Sequence, residues 1–232
     1  MGLAGAKVFE TPMEQNLKLT LIKLDAYNKG TSSDDILLEN PKEYRRLIGR
    51  LLYLTIIRPN IFFVVQALSQ FMSKPKTSHM DAAIRVLKYL KNAPDFGILL
   101  SSQSSFRLKA YCDSDWATCP MSRKFITGYC IKLGDSLLSW KTKKQSAVSR
   151  SSAEAEYRSM ATTTCEIVWI VGILKDMGVK IKTPVILHCD NKAVMQIVNP
   201  LFHERTKHIE IDCHLVREKI LEKLIKTIYF YY

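Results

Sequence analysis

The sequence predicts a mixed α/β fold: a sheet that joins an antiparallel meander to later strands, preceded by a small three-helix unit. Three observations predict it. Apolar residues recur at helical spacing from Pro41 to Pro94, the period changes to two after Phe96, and three acidic motifs then follow in the order Asp, Glu, Asp. These are Tyr111-Cys112-Asp113-Ser114-Asp115-Trp116, Ser151-Ser152-Ala153-Glu154-Ala155-Glu156-Tyr157 and Leu187-His188-Cys189-Asp190-Asn191.

Residues 1–40 read as an extended lead-in, with Thr11-Pro12 turn-like and Lys29 to Asp35 a Gly/Ser/Asp linker, so compact structure is expected only after it. A helical subdomain is expected over 41–95. Tyr44, Leu47, Ile48, Leu51 and Leu52 form the stripe of its first helix, which Arg58-Pro59 ends. Ile61, Val64, Val65, Leu68 and Met72 mark a second helix, closed by Lys74-Pro75. The third opens at Ser78, a hydroxyl cap with Asp81 three residues on, and runs to Pro94. Arg45, Arg46, Arg50, Arg85, Lys88 and Lys91 decorate these helices; they suit a nucleic-acid surface, though an ordinary solvated face explains them slightly better.

The second domain is expected over 96–232. Phe106–Cys112, Phe125–Leu133 and Leu137–Val148 alternate as three strands with short turns between them. A long helix from about Ser152 to Met177 follows, and Val185–Cys189 is a short apolar run suited to a buried strand. Helices over Ala193–Val198 and about Lys207–Lys223 precede a last strand over Leu224–Tyr232. Three strands, helix, strand, helices, strand is the order of an RNase H-like mixed sheet.

Asp113 is placed at the end of the first strand, Asp115 in the turn after it, and Asp190 at the end of the fourth strand. Singly, each aspartate reads as a cap or turn residue; Asp190 before Asn-Lys-Ala is a good N-cap. With a glutamate-bearing helix between them they form a set that can hold hard divalent cations through oxygen. Two such ions about 3.5–4 Å apart can clamp the attacking and leaving oxygens of a phosphodiester. The glutamate is Glu156 or Glu154. The two lie about 200° apart on a helix, on opposite borders of the apolar stripe, so periodicity does not choose between them.

Composition leaves room for this chemistry. The 232 residues are 47% hydrophobic, enough for a core, and a formal net charge of +12 favours an anionic partner such as nucleic acid. The 6 cysteines show no C-x-x-C spacing, so neither a zinc ribbon nor a thioredoxin-like site is supported; buried reduced thiols in an intracellular protein, cytoplasmic or nuclear, are expected. His188-Cys189 and Cys213-His214 are adjacent pairs whose side chains point to different sides. No signal peptide or membrane-length apolar run is present, so no membrane partner is expected, and no small-molecule cofactor.

The chain resembles, from about Thr11 to Glu218, the region of a copia-type retrotransposon Pol polyprotein that runs from the end of the reverse transcriptase through its ribonuclease H domain. The residues that carry the resemblance are collinear: Tyr44-Arg45-Arg46-Leu47-Ile48-Gly49-Arg50-Leu51-Leu52-Tyr53-Leu54, Arg58-Pro59-Asn60-Ile61, Leu87-Lys88-Tyr89-Leu90-Lys91, Asp113-Ser114-Asp115-Trp116-Ala117, Ser139-Trp140-Lys141-Thr142-Lys143-Lys144-Gln145, Ser151 to Tyr157, Cys189-Asp190-Asn191 and Arg205-Thr206-Lys207-His208-Ile209.

The resemblance implies two-metal hydrolysis of the RNA strand of an RNA–DNA hybrid. Asp113, Glu156 and Asp190 would be the catalytic and metal-binding residues for Mg2+ or Mn2+, with Glu154 and Asp115 the lesser candidates. The run Glu156-Tyr157-Arg158-Ser159-Met160 is similar to the one that carries the helix glutamate in other ribonucleases H. Lys141, Lys143, Lys144, Arg205 and Lys207 would contact the hybrid backbone, and Trp140 either packs in the core or meets the hybrid. The rest of a Pol polyprotein is the implied protein partner. No Tyr-x-Asp-Asp turn is present, so polymerisation is not expected. The resembled regions also place a fourth aspartate in a helix beyond the last strand. That helix is not in this chain, which makes a weak or inactive remnant that at most binds hybrid the alternative expectation.

Overall fold

In a computed structural model the described residues are 5–15, 17, 19–22, 35–102, 105–116, 122–198 (without the side chains of 196–198) and 210–231. They divide into two compact units, Met1–Ile98 and Leu99–Tyr232. No described helix is long and apolar enough to cross a membrane.

The first unit holds helices α1 (Pro41–Leu54), α2 (Phe62–Ser69) and α3 (Thr77–Asn92), with a 3-10 turn over Pro59–Ile61. Their apolar stripes meet in one core of Tyr44, Ile48, Leu51, Ile61, Val65, Leu68, Ala83 and Val86. The Tyr44 hydroxyl donates to the Leu68 carbonyl at 2.8 Å, which satisfies a buried polar group and ties α1 to α2.

Two features of this unit differ from the sequence reading. Met13, Leu17, Leu19 and Leu38 pack against the helical core, so the segment before Pro41 joins the compact unit. Their spacing is irregular, which hid them from a periodicity argument. Helix α3 opens at Thr77 and not at Ser78, because its caps come from elsewhere: the Lys76 N–H donates to His79 Nδ1 at 3.0 Å, and Asp35 accepts from Thr77 Oγ1 and the Ser78 N–H, each at 3.0 Å. With Nδ1 accepting, the His79 Nε2–H donates to the Thr20 carbonyl at 3.1 Å.

Asp35 also pairs with Lys76 at 2.6 Å, where the lysine side chain is only 2% exposed. Burial pushes the Asp35 carboxyl up, but hydrogen bonds from Lys76, Ser78 and Thr77 outweigh it and hold the group at about 2. Removing one partner of a buried pair strands the other charge. Asp35→Ala is therefore expected to destabilise the first unit by about 2 kcal/mol in urea unfolding, a figure discounted for the partial exposure of Asp35. A loss below ~0.5 kcal/mol would show that Lys76 finds another anionic partner.

The second unit is a five-stranded sheet in the order β3-β2-β1-β4-β5: β1 (Leu108–Asp115), β2 (Ile126–Leu133), β3 (Ser136–Lys144), β4 (Val185–Cys189) and β5 (Ile225–Tyr229). The pairs β1–β2 and β2–β3 are antiparallel; β1–β4 and β4–β5 are parallel. Between strands come α4 (Ser152–Asp176), α5 (Lys192–Val198) and α6 (Glu210–Leu221), which gives the expected order of elements. Gly134 and Asp135 turn β2 into β3, and Gly134 takes the φ of 59° that such a tight hairpin needs. Gly178, at φ 77°, follows the end of α4.

Leu108, Ala110 and Cys112 of β1, with Leu187 and Cys189 of β4, face Tyr157, Met160 and Ala161 of α4 across the core. The long helix carries three consecutive threonines, poor helix formers by propensity. Each is satisfied locally, because Thr162, Thr163 and Thr164 donate to the carbonyls of Arg158, Ser159 and Met160 at 2.8–2.9 Å.

Candidate active site

Strand β1 runs three residues beyond its expected end. Asp113 pairs with Gly128, Ser114 with Thr127 and Asp115 with Ile126, so Asp113 sits inside the strand, and Asp115 lies in the strand and not in a turn. Polar residues of low β propensity are held extended here by the antiparallel ladder on one side alone. The parallel ladder to β4 ends earlier, its last pair being Tyr111 with His188. Where that ladder stops, the sheet opens between β1 and β4, and Asp113 and Asp190 stand on either side of the opening.

Ser151 caps α4, its hydroxyl accepting from the Glu154 N–H at 3.2 Å. Glu154 returns the interaction, accepting from the Arg150 N–H at 2.8 Å and from Arg158 Nη2 at 3.0 Å. This is the reciprocal logic of a capping box, and Ser151-Ser152-Ala153-Glu154 is its sequence signature. That signature separates the two glutamates where periodicity does not. Glu154 is occupied at the helix end, whereas Glu156 is 6% exposed and turned toward the two aspartates.

Asp190 follows β4, and it is not the cap of α5. Asn191 Oδ1 accepts from the Val194 N–H at 3.2 Å and takes that part. Asp190 Oδ1 is left buried without a hydrogen-bond partner, as is Glu156 Oε2. Buried carboxylate oxygens without donors are costly, and their place beside a third carboxylate fits a bound cation.

The charges register this crowding. Burial, then Asp113, Cys189 and Asp190, push the Glu156 carboxyl up to about 9, against a hydrogen bond from the Ser114 N–H. Burial, then Asp115 and Asp190, raise Asp113, which the same Ser114 amide also stabilises. The Ser159 hydroxyl donates to the Asp113 carbonyl at 2.8 Å and lies 3.3 Å from the Gly128 carbonyl, tying α4 to β1 and β2 beside the acids. Ser159→Ala is expected to cost about 1–2 kcal/mol of unfolding free energy. A variant as stable as the parent would show that Ser159 does not hold the helix in place.

Two cysteines form the floor of the site. Cys112 and Cys189 are 6% and 1% exposed and face α4 from neighbouring strands. The Cys112 thiol donates to the His188 carbonyl at 3.4 Å, and its closeness to Cys189 raises the Cys112 thiol and lowers that of Cys189. Sequence spacing missed the pair because it looks for ligands along one segment. A register argument finds it: Tyr111 pairs with His188, so Cys112 and Cys189, one residue further on, fall side by side on the face that meets α4. On the other face Tyr111 stacks on His188 at 4.6 Å, and Phe230 meets both edge-on.

Lys141, Lys143 and Lys144 lie on β3, the edge strand; Lys141 and Lys143 are exposed on one face, and Lys144 is half-buried on the other. Trp140 is half-buried opposite Cys130. Arg205 and Lys207 lie outside the described residues.

No family model matches the chain. Among characterised proteins, the retrovirus-related Pol polyproteins from transposons RE2 and RE1 of Arabidopsis thaliana are each 39% identical to it over 225 residues, 97% of the chain. Over nearly its whole length the chain is homologous to retrovirus-related Pol polyproteins of copia-type transposons. It spans 15% of the length of each of those two relatives. Among solved structures, LC11-RNase H1 in complex with RNA/DNA hybrid aligns with 53% of the chain and 85% of its own, at 9% identity and a TM-score of 0.41, a likeness too distant to carry an assignment. The homology to copia-type Pol polyproteins runs through both units, since it covers nearly the whole chain.

Proposed function

We propose that this copia-type Pol segment acts as an RNase H-like domain that hydrolyses the RNA strand of an RNA–DNA hybrid with divalent metal. The observation that carries the reading is that Glu156 and Asp190 bring ligand atoms within 4.8 Å of each other, each with a buried carboxylate oxygen that lacks a donor, while Asp113 lies near enough to raise the Glu156 carboxyl. Mg2+ or Mn2+ is the cation class that oxygen ligands of this kind take, with two ions in a complete site. Bound there, the metal supplies activation of water for in-line attack and stabilises the charge on the departing 3′ oxygen.

The chain's own residues do the rest. Asp113, Glu156 and Asp190 hold the cation. Ser159 ties the helix that delivers Glu156 to β1 and β2. The apolar packing of Tyr157 and Met160 behind Glu156 keeps that side of the site dry. Lys141 and Lys143, exposed on the edge strand, position the hybrid through its phosphates without reading its sequence, as does the net charge of +12. Arg205 and Lys207 belong to the same proposed contact set, and preference for hybrid over duplex DNA rests on 2′-hydroxyl recognition. The remainder of a Pol polyprotein is the proposed protein partner.

The test uses the full chain on labelled RNA annealed to DNA. Cleavage is expected with Mg2+ or Mn2+ and not with a chelator, and duplex DNA of the same sequence is expected to stay intact. Equal cleavage of duplex DNA, or cleavage in the chelator, would contradict the reading.

A further inference from the structure

The carboxylate site has a floor that oxygen-seeking cations do not use. Glu156, Cys189 and Asp190 each present one ligand atom, and these atoms all lie within 4.8 Å of one another. Glu156 is more than nine-tenths buried, and its Oε2 has no hydrogen-bond partner. Asp190 Oδ1 is likewise buried and unpartnered. Cys112, on the adjacent strand, is engaged elsewhere, its thiol donating to the His188 carbonyl at 3.4 Å.

We propose that Cys189, Glu156 and Asp190 form a binding site for a thiophilic divalent cation, Zn2+ above all. Tetrahedral zinc takes thiolate sulfur at about 2.3 Å and carboxylate oxygen at about 2.0–2.2 Å, so its ligand atoms stand about 3.5 Å apart. Mg2+ requires an octahedron of oxygens, keeps several waters and has no use for sulfur, whereas soft thiolate donors select zinc. Binding replaces the Cys189 thiol proton with a zinc–sulfur bond and releases that proton to the buffer; no electron transfer is involved.

The proposal rests on the positions of these three side chains and not on the hydrolase reading. Where that reading also holds, zinc occupies Glu156 and Asp190 in place of the harder cation, so Zn2+ inhibits the cleavage that Mg2+ supports. A failure of cleavage with any metal would count against the hydrolase reading and leave the zinc site standing.

The test is titration of the reduced full chain with Co2+ as a spectroscopic stand-in, followed by displacement with Zn2+ in competition with a chromogenic chelator. A sulfur-to-cobalt charge-transfer band that saturates at one equivalent and is erased by Zn2+ is expected. Cys189→Ser is expected to lose the band and about a hundredfold or more in zinc affinity. Cys165→Ser, which changes an exposed thiol, is expected to leave both unchanged. Should Cys189→Ser fail to fold, Glu156→Gln serves as the second variant, expected to keep a weakened band with lower zinc affinity. Absence of the band in the parent, or full zinc affinity in Cys189→Ser or in Glu156→Gln, would overturn the proposal.

Discussion

Glu156→Gln is expected to abolish RNA cleavage, with a rate loss of about 10²–10³-fold or more, while Glu154→Gln retains most of the activity. The contrast follows from what each carboxylate touches. Glu154 accepts from the Arg150 N–H and from Arg158, so its loss frays the start of α4 and costs about 1 kcal/mol of stability. Glu156 has a buried oxygen with no donor and two aspartates facing it, so its amide isostere keeps the shape and loses the charge that would hold a cation. Single-turnover cleavage of a labelled hybrid by both variants checks this. The reverse order of effects would move the metal-binding role to Glu154.

The same substitution is expected to stabilise the metal-free protein at alkaline pH. Burial and its acidic neighbours raise Glu156 from 4.5 to about 9 in the folded chain, so between those values the native state holds a proton that the unfolded state has released. Stability from this group is fully present below pH 4.5 and is lost as pH rises through about 9, with a slope approaching about 1.4 kcal/mol per pH unit. Glu156→Gln removes that slope because glutamine does not titrate. The measurement is chelator-treated thermal unfolding of parent and variant from pH 5 to pH 9. The parent is expected to lose melting temperature across this range relative to the variant, and added Mn2+ to restore it to the parent alone. Parallel pH profiles would mean that Glu156 is not held among other acids.

This opposition, activity lost and metal-free stability gained, separates a functional carboxylate from a structural one. A structural glutamate loses stability when it is neutralised. Strain of this kind among neighbouring acids is what sites for a missing charge look like.

Much of the fold was legible because the hydrophobic period changes where the architecture changes. Tyr44, Ile48 and Leu51 mark a helix, and the alternation through Leu108, Ala110 and Cys112 marks a strand, each matching its observed burial. The end of β1 was not legible. Asp113, Ser114 and Asp115 have turn chemistry, and only pairing with β2, a contact distant in sequence, keeps them extended. The cap of α3 was hidden for the same reason, since Asp35 accepts from Ser78 across a sequence separation of 43 residues.

The acids themselves were legible as a set, but the choice between the two glutamates waited on the capping of α4 by Ser151 and Glu154. The thiol floor was missed because Cys112 and Cys189 belong to different strands. Their adjacency follows from the register of β1 with β4, and register is set by the whole sheet.

The measurement that tests the central claim most directly compares the full-length parent chain with Asp113→Asn on one labelled RNA–DNA hybrid in Mg2+ or Mn2+, reading binding and cleavage together. The account predicts that both bind the hybrid with similar affinity, that the parent cuts the RNA into fragments ending in 3′-hydroxyls, and that the variant does not cut. A parent chain that binds the hybrid and leaves its RNA whole, or an Asp113→Asn variant that cuts at the parental rate, would contradict it.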